Sequence, residues 1–347
     1  KAYIRKPRIN LLTAGQTVEK KVNYILGDYA EHPQAEELYC DFTSFKDRAY
    51  RYVRCDKLMH DVETNVVYFS PLLKSSHPIF YQRLKDLLEN IGIEHRELKY
   101  TKDYWACDYM PFQLGKDEFL KYRYYPDYLV NSKDENDKEY ITDSLKVLRG
   151  MNISYKSTDL IIDGGNMVTC GPYIVMTDKV YVENHCKKDD AEFKARLESE
   201  IGHPVIIIPW TMHGDFDAKD TDKYGHSDGF IKWCGDNRIL MCNHGDEYPE
   251  EATAIRNELE KYGFEVTEMR FNNKVASPIA DLNWAYINFL QVGKHIIMPI
   301  FNIEEDSIAY NYIADAFPDC TIHQIEMAEI AEEGGALHCI SWNILSE

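Results

Sequence analysis

Near the C-terminus the chain reads Gly334-Gly335-Ala336-Leu337-His338-Cys339, a glycine-loosened turn that runs into a single cysteine. Far upstream lie Gly225-His226-Ser227-Asp228-Gly229 and Trp105-Ala106-Cys107-Asp108. Together these segments supply a thiol, an imidazole and two carboxylates. A deprotonated thiol is a nucleophile, an imidazole moves protons near neutral pH, and carboxylates hold cations through charge-assisted hydrogen bonds. In combination they suit attack on a planar cation such as a guanidinium group.

Each residue also has a plainer reading. Cys339 could be a core thiol. Its neighbour His338 is a poor base for it, because residues 336–341 read as a strand and adjacent strand residues point to opposite faces. His338 is therefore expected to be packed or structural. His226 is the better base: it stands two residues from Asp228, on the same side of an extended segment, and flanking glycines let backbone and substrate approach. A His–Asp surface turn is the alternative. Asp108 sits among aromatic residues, which offer a cation both charge and a flat apolar wall. Asp163 opens Asp163-Gly164-Gly165-Asn166, equally an ordinary hairpin turn. Asn288, read as interior to an apolar strand with Trp284 and Tyr286 on one face, needs a partner for its amide.

The surroundings narrow the options. The 58 acidic residues outnumber the 39 basic ones, giving a net charge of −19. Such a surface repels nucleic acid and anionic lipid and favours cationic partners, although it is equally a device for staying dissolved. The nine cysteines are odd in number and include no Cys-x-x-Cys pair, so a zinc ribbon, an iron–sulfur site and a disulfide scaffold lose support. A reducing, cytoplasmic setting is the expectation. No apolar run reaches the length of a membrane span. There is no Gly-x-Gly-x-x-Gly and no Gly-Lys-Ser/Thr loop, which removes the basis for a nucleotide site. The acidic stretch Asp215-Phe216-Asp217-Ala218-Lys219-Asp220-Thr221-Asp222 lacks the glycine and distal glutamate of a calcium loop and reads as a solvated loop.

The elements that must position these residues repeat a rhythm of strand pair, helix and strand. Strand 65–71, helix 78–91 and strand 95–100 form one unit. Strands 160–162 and 173–176 around a Gly-Pro turn, helix 190–201 and strand 204–208 form another. Strands 229–234 and 239–242 with helix 250–262 and strand 264–268 make a third, and 285–290, 294–299, 307–317 and 321–325 a fourth. Half of a fifth lies at 336–345. The pattern points to a single α/β domain over 1–347, a ring of ββαβ modules whose last blade is closed by the N-terminal region, residues 1–60. An open α/β sheet would alternate in a similar way.

The motifs also occur together in a familiar order. The chain resembles the agmatine deiminase and Porphyromonas-type peptidylarginine deiminase family of guanidino-group-modifying enzymes. That family shows Trp-Ala-Arg-Asp-x-Gly-Pro, Glu-Gly-Gly-Asn, Gly-His-x-Asp and Gly-Gly-Gly-Gly-Ile-His-Cys. The matching segments here are 105–111, 163–166, 225–228 and 333–339, with Tyr286-Ile287-Asn288 matching a further family strand. The resemblance implies a five-bladed α/β propeller, the pentein fold. It also implies hydrolytic deimination of agmatine or of an arginine residue, through a thiouronium on Cys339. His226 would be the proton shuttle, Asp108 and Asp228 the guanidinium clamp, and Asp163 the group that orients His226 or touches substrate. Trp105, Asn288, Asn166 and Gly335 would shape the substrate pocket. No metal and no organic cofactor are implied. The partner would be a small cationic guanidino compound or an arginyl peptide, and the assembly a homodimer. An amidinotransferase of the same superfamily and a non-catalytic guanidine-binding module are the alternatives. Cys107 stands where the family has arginine, Met110 where it has glycine, Asp163 where it has glutamate, and Glu333 and Ala336 where it has glycine.

Overall fold

The computed structural model describes residues 58–213, 222–271 and 280–346. Within them lie five three-stranded sheets. In chain order the strands are β1 Val66–Phe69, β2 Glu94–Glu97, β3 Phe112–Gly115, β4 Glu118–Arg123 and β5 Tyr155–Ile161. They continue with β6 Val168–Cys170, β7 Tyr173–Thr177, β8 Val205–Ile208, β9 Ile231–Trp233 and β10 Arg238–Met241. The last are β11 Glu265–Glu268, β12 Leu290–Val292, β13 His295–Ile300, β14 Thr321–Glu326 and β15 Ser341–Ile344. The sheets run β15-β1-β2, β3-β4-β5, β6-β7-β8, β9-β10-β11 and β12-β13-β14.

Every sheet obeys one rule: its middle strand is antiparallel to the strand before it and parallel to the strand after it, as β7 is to β6 and β8. The antiparallel neighbour can be reached by a tight turn, whereas the parallel one needs a crossover that carries the chain back. Helices α1 Pro78–Ile91, α2 Ala191–Ile201, α3 Pro249–Glu260 and α4 Glu305–Ala316 supply four of the crossovers. Their ends follow local chemistry. Proline opens α1 and α3, the Asp190 carboxylate accepts hydrogen bonds from the Glu192 and Phe193 amides, and Gly92 ends α1 at φ 75°. The middle strands Val66–Phe69 and, but for Arg238, Arg238–Met241 are buried along their length, because a helix covers one side and a neighbouring blade the other. Contacts between neighbours run round a circle: β6 packs on β9, α3 on β8, α4 on β10, α1 on β14, and the short turn Ala106–Tyr109 on both β15 and Gly164–Asn166. This is the α/β propeller expected from the sequence.

Four expectations differ from the structure. The blade β3-β4-β5 was not legible, because its crossover is broken into short helices at Asp127–Val130 and Ser144–Leu148, with no long amphipathic period to read. Residues 160–161 end β5 of that blade rather than pairing with β7; the hairpin around Gly171 joins β6 and β7. Residues 280–287 form a 3-10 helix, so Asn288 lies between that helix and β12, not inside a strand. Residues 337–340 form a turn, and the strand begins at Ser341. The strand that pairs with β15 is β1. The closing role expected of residues 1–60 falls, apart from 58–60, outside the described residues, as do Asp215–Thr221 of the acidic stretch. No helix among the described residues is long and apolar enough to cross a membrane.

Candidate active site

The topology explains why residues so far apart in sequence meet. In each blade the chain makes a short turn just before the first strand. The turn is Ala106–Tyr109 before β3, Gly164–Asn166 before β6, Ser227–Gly229 before β9, Ala280–Ile287 before β12, and 337–340 before β15. Asp108, Asp163, His226 with Asp228, Asn288 and Cys339 therefore occupy matching places in five blades. All are buried, from Asp163 at 0% exposed to His226 and Cys339 at 8%.

His226 is held from two sides. Its Nε2 lies 3.0 Å from Asp163 Oδ2, and its Nδ1 faces Asp108 Oδ1 at 3.5 Å. Asp108 Oδ1 also accepts from the Gly165 amide at 3.1 Å. That approach needs glycine, since a Cβ on Gly165 would come within 2.6 Å of the His226 ring. Tyr128 and Tyr224 line the imidazole with ring centroids 6.1 and 6.2 Å away. Cys339 is held by a different carboxylate: its Sγ lies 3.6 Å from Asp228 Oδ2, and its amide donates to Asn288 Oδ1 at 3.2 Å. Asn288 Nδ2 donates in turn to the Asp228 carbonyl at 3.3 Å. The amide that the sequence left without a partner thus ties the cysteine turn to the His226–Asp228 turn. Asn166 ties its own turn to the end of β7 and to the His226–Asp228 turn, its Oδ1 accepting from the Thr177 and Ser227 amides at 2.7 and 3.3 Å. Gly335 lies against the face of half-buried Trp105, where any Cβ would strike the ring.

His226 and Asp228 do not share one side of an extended segment. His226 is extended and caps the 3-10 turn that carries Asp228, so the two side chains diverge, one to Asp163 and Asp108, the other to Cys339. Sequence reasoning passed over two members of the cluster. His338 donates from Nδ1 to Asp228 Oδ2 at 2.6 Å. Cys107 places its Sγ 3.4 Å from Asp108 Oδ1 and 3.9 Å from Asp228 Oδ2. The sequence did mark His338 as no base for Cys339. What it could not show is that a turn, rather than a strand, directs that ring to the neighbouring carboxylate.

The charges differ from residue to residue. Burial pushes the Asp108 carboxyl up to about 7, with the His226 charge opposing and the Asp163 and Asp228 charges adding to the rise. Burial opposes the imidazolium of His226, but the Asp108 charge and the Asp163 hydrogen bond outweigh it and raise His226 to about 10. Burial likewise opposes the Asp228 carboxylate, yet the His338 hydrogen bond and charge hold it below the ordinary range. At Cys339 the Cys107 thiol favours the thiolate, but burial and the Asp228 and Asp108 charges prevail, and the thiol is raised above its usual value.

Comparison with known proteins fits this arrangement. The architecture is that of an α/β propeller. The C. jejuni agmatine deiminase with substrate bound superposes with a TM-score of 0.64 at 17% identity, over 84% of this chain and 96% of that one. DDAH from Pseudomonas aeruginosa, complexed with citrulline, superposes at 0.52 with 10% identity, over 81% and 99%. More particularly, the chain belongs to the Porphyromonas-type peptidyl-arginine deiminase family, whose family model matches residues 39–344. Agmatine deiminase of Ectopseudomonas mendocina is 23% identical over 222 residues, 54% of this chain and 58% of that protein. That of Pseudomonas aeruginosa (strain LESB58) is 24% identical over 222 residues, again 54% and 58%. The match spans less than two-thirds of the length of these relatives.

Proposed function

We propose that the protein hydrolyses the guanidino group of a small cationic compound, releasing ammonia and a ureido product by way of a thiouronium on Cys339. One observation carries the reading: a thiol and an imidazole are each held by a separate buried carboxylate, Cys339 by Asp228 and His226 by Asp163 and Asp108. Family membership and the names of the relatives support the same chemistry.

In this reading Asp108 and Asp228 take the guanidinium nitrogens, and Trp105 provides the flat wall beside them. Asp163 fixes the imidazole through Nε2, which leaves Nδ1 as the proton-bearing atom toward Asp108 and the substrate. Asn288 fixes the backbone of Cys339, while Asn166 and Gly335 keep the turns close enough to meet. The free site holds Cys339 as a thiol, so the substrate's own charge favours the thiolate on arrival. Sulfur attacks the central carbon. As the carbon–nitrogen bond breaks, His226 gives its proton to the departing ammonia. Binding of the cation to Asp108 loosens the imidazolium's main counter-charge and so favours that transfer. The now neutral His226 takes a proton from water, which adds to the thiouronium carbon; the carbon–sulfur bond breaks and the ureido product leaves. The thiol proton is lost to solvent as the cation binds, and the hydroxyl proton of the water adduct returns to the sulfur as the carbon–sulfur bond breaks, which restores the free site.

Substrate identity follows from a direct comparison. Purified protein is given agmatine, free arginine and arginyl peptides, and both ammonia and ureido product are measured. Stoichiometric release of the two from at least one substrate is expected. Failure on all three, with the protein folded, would remove the proposal.

A further inference from the structure

Two groups of three potential metal ligands occur among the described residues. Cys107, Asp228 and His338 belong to the site above. The other, His213, His244 and Glu251, shares no residue with it. We propose that His213, His244 and Glu251 form a second, non-catalytic site for a divalent transition cation of the Zn²⁺ class.

The three ligands come from three short pieces of chain. His213 follows β8 of the third blade, and His244 opens a 3-10 turn just after β10 of the fourth. Glu251 lies in the first turn of α3. Since α3 packs against β8, the cluster sits where the two blades meet. Both imidazoles present Nε2 to the same carboxylate oxygen, each 2.8 Å from Glu251 Oε2. The second oxygen, Oε1, is buried and accepts no well-formed hydrogen bond. The Glu251 side chain is only 9% exposed, against 14% for His244 and 35% for His213, so the group is sealed behind and open at His213.

Two imidazoles and a carboxylate form the donor set of open zinc sites, in which the fourth position is left to water. Around a tetrahedral ion with ligands at roughly 2.0–2.1 Å, donor atoms stand about 3.3 Å apart. The cluster would have to open by about half an ångström, and the unused Glu251 Oε1 offers a second way to bind. The rings are also braced. His213 stacks on Tyr248 at 3.7 Å and 9°, and Phe230 meets His244 edge-on at 5.1 Å. Such bracing limits rotation of the ligands away from a common point. No sequence motif announces the site, since 213, 244 and 251 share no ligand spacing. A bound ion would pin the segment after β8 to the start of α3.

The test is titration of chelator-treated protein with Zn²⁺ by calorimetry, in wild type, Cys107→Ser, His213→Ala, His244→Ala and Glu251→Gln. One binding event is expected to be common to wild type and Cys107→Ser. In the other three it should vanish or weaken by more than about tenfold, the scale on which even a ligand's supporting partners act. Far-UV circular dichroism checks folding, and Co²⁺ added to wild type and to Cys107→Ser gives an optical readout independent of the three ligand variants. Visible bands of nitrogen and oxygen ligation, present without thiolate-to-cobalt charge transfer in Cys107→Ser, are expected. Absence of binding to wild type overturns the proposal. So does Zn²⁺ binding that survives unchanged in all three ligand variants, or a cobalt spectrum that reports thiolate ligation alone.

Discussion

The raised thiol of Cys339 makes a quantitative prediction about which reagents it will accept. In the free site its sulfur lies 3.6 Å from Asp228 Oδ2, and burial with two carboxylates keeps the proton on. A cation placed between Asp108 and Asp228 would stand about 4 Å from the sulfur. At an effective dielectric constant of roughly 20 that is about 4 kcal/mol in favour of the thiolate, or about three pK units. While the thiol form predominates, the reactive fraction should then rise by up to about 10³. Chloroacetamidine and chloroacetamide test this, because they share a leaving group and a shape and differ in charge. The second-order rate of Cys339 alkylation by each is read from intact mass near pH 7, and the ratio is divided by the same ratio for a free thiol such as glutathione. The corrected ratio should exceed about tenfold after solvent screening, with about 10³ as its ceiling. Asp108→Asn, which removes one counter-charge, should shrink it. A corrected ratio of one in wild type would refute substrate-assisted ionisation, and so would labelling spread evenly over the cysteines.

Three further outcomes follow from the same geometry. Because Asp108 titrates at about 7 in the free site, kcat/KM should fall as pH drops below that value. In the complex the bound cation holds Asp108 ionised, so kcat should keep its value further into acid; parallel pH profiles of the two constants check this. His226→Asn should still bind substrate but slow both loss of ammonia and resolution of the adduct by about 10²–10⁴-fold, measured by single-turnover quench. The two clamp carboxylates should also part company in thermal melts without ligand. Asp228 has a depressed pKa, so it adds stability above the ordinary carboxylate range that is lost as pH falls; Asp228→Asn should cost on the order of 3 kcal/mol at neutral pH by stranding His338. Asp108 has a raised pKa, and Asp108→Asn at pH 8 should leave the melting temperature level or higher. Simple mutual repulsion of the two acids would instead raise stability in both variants.

What could be read from the sequence was whatever repeats or stands in a motif. The crossovers α1 to α4 announce themselves through amphipathic period and caps, and four blades follow from them. The blade β3-β4-β5 was hidden because short helices at Asp127–Val130 and Ser144–Leu148 carry no such period. Asp108, Asp163, His226, Asp228, Asn288 and Cys339 were all picked out, since glycines and aromatics mark their turns. Their orientation was not. Alternation along a strand was the rule applied to His226 with Asp228 and to His338 with Cys339, and in both places the chain turns instead. For that reason the His338–Asp228 contact and the diverging His226 and Asp228 side chains needed the structure. His213, His244 and Glu251 are the extreme case, because only the packing of α3 on β8 brings them together.

The central claim is a covalent bond between substrate carbon and the Cys339 sulfur. Acid quench of wild-type protein during turnover, followed by proteolysis and mass spectrometry, measures it directly. The peptide carrying Cys339 is expected to gain the mass of the guanidino substrate less ammonia, His226→Asn to accumulate the corresponding adduct from a substrate analogue with a good leaving group, and Cys339→Ala neither to form it nor to turn over. Turnover by Cys339→Ala at the wild-type rate, or an adduct found on another cysteine, would contradict it.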